Sequence, residues 1–196
     1  MKKKICYAVV ALVILLLIII FRKQDSEIQG CWVYKQGSSV VCFDFNGDNF
    51  AYMLSNGGCL EGKFELEDNY IICTDTEGKE FAYKYELNKD TLKITALSGS
   101  YTLKKYDKEV KKSTLKDYKW AVKNTSQEMV FEKDMVTVTN SSGEVNQINY
   151  DLLGCNNVLL KLEYEDEYIL YFIECSDKKL TVYNNSLLEP IEYYGK

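Results

Sequence analysis

Two hydrophobic patterns divide the chain. From Ile5 to Phe21 the residues are apolar without a break for 17 positions, which as a helix predicts a rod of about 26 Å, close to the thickness of a bilayer's hydrocarbon core. Beyond it the period is two. "FAYKYEL" at 81–87 sets Phe81, Tyr83 and Tyr85 on one face and Ala82, Lys84 and Glu86 on the other, and "YILYFIE" at 168–174 alternates in the same way. Such alternation predicts strands with one buried and one wet face. In the first half, turn signals recur every eight to twelve residues: "QGSS", "NGD", "SNGG", "ED", "DTEG", "NKD" and "SGS". These seven turns separate about eight short strands, an antiparallel meander that removes its exposed edges by closing into a small barrel.

The pattern is also duplicated. At a constant offset of 88, Trp32 meets Trp120, Phe43 meets Phe131, Tyr83 meets Tyr171, Glu86 meets Glu174, Leu92 meets Leu180 and Tyr106 meets Tyr194. "YII" at 70–72 falls on "VLL" at 158–160, and "LKI" at 92–94 falls on "LTV" at 180–182. A period this long is that of a duplicated small domain, not of a solenoid. The expected organisation is an anchor over residues 1–23, one β repeat over 28–107, a lysine-rich linker over 108–117 and a second β repeat over 118–196.

Gly30-Cys31-Trp32, the eight meandering strands that follow and the closing "YTLKKY" at 101–106 resemble the lipocalin-like small barrels of bacterial envelope proteins, whose first strand carries a Gly-x-Trp that plugs the barrel bottom. The second repeat is similar over less of its length: Tyr118-Lys119-Trp120 lacks the glycine, and the turn at Lys133-Asp134 is shorter. The resemblance implies an all-β protein of two tandem lipocalin-like barrels with Trp32 and Trp120 as core plugs. Phe43 and Phe131 are expected to be structural with them. It implies no particular ligand.

Charge sets topology and partners. Lys2, Lys3 and Lys4 precede the apolar run and Arg22 and Lys23 follow it, which favours an N-terminus inside and the repeats outside the cytoplasm. The "FRKQDSE" after the run is not a small-x-small cleavage site, so the helix reads as a retained, single-pass signal-anchor in the lipid bilayer. The first 23 residues hold five of the 24 basic and none of the 29 acidic groups, leaving 19 against 29, a net of −10, for the rest. That balance argues against nucleic acid as a partner.

The absence of histidine excludes Ser-His-Asp and Cys-His nucleophile activation and imidazole-ligated metals. No Cys-x-x-Cys spacing supports zinc. The acidic "EYEDEY" at 163–168 and "DFNGDNF" at 44–50 read as a hairpin tip and a β-turn, not as calcium loops. No catalytic residue, cofactor or metal is expected. Six cysteines follow the anchor. A hairpin turning at Glu165-Asp166 brings Cys155 and Cys175 near cross-strand register, making them the expected disulfide, while Cys31, Cys42, Cys59 and Cys73 leave three connectivities open. The functional expectation is a non-enzymatic binding or interaction module of the envelope, acting on a protein or glycan. The alternative is a small hydrophobic ligand held in a barrel cavity.

Overall fold

Glycine turns and alternating strands give two closed, eight-stranded antiparallel barrels in tandem. The computed structural model describes residues 27–196 apart from 56, 97–98, 165–166 and 188. The predicted span from Ile5 to Phe21 lies outside the described residues. Among those described, no helix is long and apolar enough to cross a membrane.

Barrel 1 runs β1 (Gly30–Gln36), β2 (Ser39–Asn46), β3 (Asn49–Met53), β4 (Cys59–Glu67), β5 (Tyr70–Asp75), β6 (Glu80–Asn88), β7 (Thr91–Ala96) and β8 (Gly99–Tyr106), each pairing with the next and β8 closing on β1. A single-turn helix, α1 (Lys112–Lys116), leads into barrel 2: β9 (Lys119–Ala121), β10 (Glu128–Phe131), β11 (Met135–Thr139), β12 (Val145–Leu153), β13 (Leu159–Tyr164), β14 (Glu167–Ser176), β15 (Lys179–Tyr183) and β16 (Ile191–Gly195). Strand β16 closes on β9. The linker is docked rather than free, with Val110 and Leu115 buried and the Val110 amide donating to Asn156 O at 2.9 Å.

Inward-facing aromatic and aliphatic side chains form the barrel cores. In barrel 1, Trp32 and Phe43 lie opposite each other on β1 and β2 and both are fully buried. Phe43, Phe45, Tyr52 and Tyr83 form a ring cluster with centroids 5–6 Å apart, and Tyr83 Oη donates to Tyr52 Oη at 2.8 Å. Each tryptophan is tied by its indole N–H to a carbonyl just upstream, Trp32 to Ile28 at 2.6 Å and Trp120 to Leu115 at 2.7 Å. That bond satisfies the one polar atom of an otherwise apolar plug.

The repeats are equivalent strand by strand, but not at one fixed offset. Trp120 faces Met129, not Phe131, because the chain joining Ala121 to its partner Glu128 is two residues shorter than that joining Val33 to Cys42. Phe131, two positions further along β10, therefore takes the place of Phe45. On β13 it is Leu160 that faces Tyr171, as Ile71 faces Tyr83, a slip of one residue from the offset of 88. A slip of one exchanges faces, so register rather than identity decides which residues point inward.

Candidate functional site

Strand β2 does not alternate in burial: every residue from Val40 to Phe45 is buried. Val41, Phe43 and Phe45 point into barrel 1, so Val40, Cys42 and Asp44 point out of it and something must cover them. With Cys31, Val33, Ala51 and Met53 they form the outward face of β1–β3, and all but Asp44 belong to one apolar cluster with the core of barrel 2. The covering face is that of β13–β15, with Leu159, Leu170, Phe172 and Tyr183 turned toward barrel 1. Phe172 meets the Tyr106 ring edge-on with centroids 5.5 Å apart, and Lys35 Nζ sits 4.7 Å from the Tyr183 ring centre.

Comparison of the repeats explains why this face is sticky. Where barrel 1 carries Ala82, Lys84 and Thr95 exposed, barrel 2 carries Leu170, Phe172 and Tyr183 buried. The reverse holds on the other partner. Cys31 and Cys42 of barrel 1 touch through their sulfurs at 3.6 Å, whereas the equivalent diagonal of barrel 2, Lys119 and Glu128, is an ion pair at 2.6 Å on a solvated surface.

Polar groups fix the register of docking. Glu174 accepts from Lys35 Nζ at 2.9 Å, Tyr183 Oη at 2.7 Å and Tyr106 Oη at 3.1 Å. Burial works to raise its pKa, but the hydrogen bond and charge of Lys35 and the tyrosine hydroxyls outweigh it and hold the carboxyl below its ordinary value. Lys161 of barrel 2 pairs with Glu61 of barrel 1, both side chains largely buried. Asn185 donates to Val40 O at 2.9 Å and Leu54 O at 2.5 Å and accepts from the Val40 amide at 2.8 Å. Complete satisfaction of such groups is what a buried polar seam requires.

One group is left incomplete. The Asp44 side chain is 1% exposed. Its Oδ1 accepts the Cys155 amide at 2.9 Å, while Oδ2 has no hydrogen-bond partner among the described residues. Burial pushes the carboxyl pKa up, and the Cys155 amide with the neighbouring Cys155 and Cys31 thiols offsets only part of that push. Gly154 makes the approach possible: it sits at φ +86°, and a Cβ there would lie 2.3 Å from the Asp44 carboxyl. Beside Asp44 a cleft of 440 Å³ opens between the barrels, walled by Phe50, Ala51 and Leu153 and rimmed by Asn46, Thr76 and Asp75. Gly62 also lines the cleft, and a Cβ there would strike Thr74 O on the neighbouring strand.

No protein-family model, curated protein or solved structure matches this chain.

Of the residues singled out by sequence, Trp32, Trp120, Phe43 and Phe131 all lie in barrel cores. The expected Cys155–Cys175 disulfide is not present, and both are free thiols. The hairpin has the expected register, with Tyr164 opposite Glu167. But β13 begins only at Leu159, and the segment holding Cys155 turns away to barrel 1, where its thiol donates to Phe45 O at 3.3 Å. Among the described residues no group of three or more His, Cys, Asp or Glu is placed to hold a metal ion.

The seam makes a direct prediction about thiol reactivity. In the reduced native protein iodoacetamide is expected to modify exposed Cys155 first, while buried Cys31, Cys42 and Cys73 react only on unfolding. Mass mapping of a timed alkylation reads this. Native labelling of Cys31 or Cys42 at the rate of Cys155 would show that the barrels are not docked.

Proposed function

We propose that this protein is a non-enzymatic binding module of the bacterial cell envelope, held to the bilayer by residues 5–21, with its two lipocalin-like barrels outside the cytoplasm. Its partner is an envelope protein or glycan. The observation that carries the reading is where free space lies: aromatic and aliphatic side chains pack the interior of barrel 1, and an open cleft runs between the barrels. Recognition then belongs to the outer surface and the seam, and a lipophilic ligand inside a barrel is the weaker alternative. A seam tied by Glu174, Lys161 and Asn185 presents both barrels as one rigid surface. Rigidity of this kind reduces the ordering cost of binding.

The test is topology. The full chain, expressed in bacteria, is expected to fractionate with membranes, and proteinase K added to intact spheroplasts is expected to degrade the barrels. Protection of the barrels until the cells are lysed would overturn the extracytoplasmic placement.

A further inference from the structure

We propose that the inter-barrel cleft beside Asp44 binds an alkylammonium or alkylguanidinium group. The inference rests on the reading of the chain as a binding module and is independent of which side of the membrane the barrels occupy.

The charges lining the cleft are Asp44, Glu61, Lys63 and Asp75. Two of the four are spent locally. Glu61 pairs with Lys161, and Lys63 pairs with Asp48 at 2.8 Å. Asp75 Oδ1 accepts the amides of Glu77 and Lys79 at 2.9 and 2.8 Å but meets no counter-charge in these contacts. Asp44 lies at the buried end with its Oδ2 lacking a hydrogen-bond partner among the described residues, the Cys31 and Cys155 thiols being its neighbours. A carboxylate out of water with an empty acceptor is costly unless a donor arrives, and a cationic N–H donor is the strongest one available.

The walls narrow the class further. Phe50, Ala51 and Leu153 suit a methylene chain behind the charged head, while a small hydrated metal ion gains nothing from them. Asn46 and Asn49 at the mouth supply amide groups for a second polar end. A cleft of 440 Å³ lies within the range of small-ligand sites. The geometry thus describes an acid-ended, apolar-walled slot for one cationic chain, either free or carried on a polypeptide as a lysine or arginine.

The experiment is calorimetric titration of the full detergent-solubilised chain with agmatine and, separately, with the capped peptide acetyl-Gly-Arg-Gly-amide. Saturable agmatine binding is expected, weakened at least ~10-fold by Asp44→Asn, which keeps the Oδ1 acceptor for Cys155 while removing the charge. Thr76→Arg, at an exposed rim position, is expected to weaken it as well by bringing a competing cation, and it tests the site even if the Asp44 variant folds poorly. Binding of agmatine alone identifies a free small molecule as the occupant; binding of both identifies a side chain. Absence of binding up to about 10 mM, or equal affinity in wild type and both variants, overturns the proposal without touching the topology result.

Discussion

Trp120→Ala is expected to lower the stability of the folded chain by about 3–5 kcal/mol, the range for truncating a fully buried large aromatic. Trp120 is completely buried, packs edge-on against Tyr118 with centroids 5.3 Å apart and donates its indole N–H to Leu115 O. Alanine removes the ring and leaves the Leu115 carbonyl buried without its donor, so cavity and unpaired acceptor add. The loss also reaches barrel 1, because the core around Trp120 is continuous with the outward face of β1–β3. Urea unfolding followed by tryptophan fluorescence reads the effect through the remaining Trp32. A shift smaller than about 1 kcal/mol would mean that Trp120 does not plug the barrel.

Gly154→Ala is expected to cost about 2–4 kcal/mol, combining left-handed backbone strain with overpacking, and to loosen the seam in particular. The new Cβ would fall 2.3 Å from the Asp44 carboxyl at a backbone φ of +86°. Either Asp44 leaves the Cys155 amide or the 154–156 loop lifts from barrel 1. In both cases Cys31 and Cys42 should alkylate under native conditions. A double-mutant cycle separates the two contributions: in an Asp44→Ala background the steric part vanishes and only strain of about 1 kcal/mol remains. Equal costs in both backgrounds would show that Gly154 acts through its backbone alone.

Much of this fold is legible in the sequence because β structure writes itself in period two. The alternation in "FAYKYEL" gives β6 directly, and the turn signals give the meander order of barrel 1. The paired tryptophans mark the repeat because a fully buried indole in a small barrel core admits few other side chains. Fine register is not legible, since the connections differ between repeats by one to three residues, enough to place Phe131 with Phe45 and to carry Cys155 off β13.

The seam was hidden for a different reason. A strand buried on both faces, such as "SVVCFDF", loses its alternation and resembles any apolar run. A sharper signal lay in the repeats themselves, at positions where one copy is polar and the other apolar: Lys84 against Phe172, Thr95 against Tyr183. Asp44 was visible as a lone acid inside that run. Its orphaned oxygen was not, because it depends on the Cys155 amide, contributed from 111 residues away.

The unlike faces used by the two barrels also decide where assembly stops. The outer side of β1–β3 meets that of β13–β15, so the contact is head to tail, and a head-to-tail contact between duplicated units can in principle repeat without end and grow a fibre. Here it does not propagate. The strand face that would receive a third barrel carries the Lys119–Glu128 ion pair in place of two thiols, and the face that would be offered to a preceding barrel carries Ala82, Lys84 and Thr95 in place of Leu170, Phe172 and Tyr183. Divergence after duplication has left one adhesive side per unit, and each is consumed by the other within a single polypeptide.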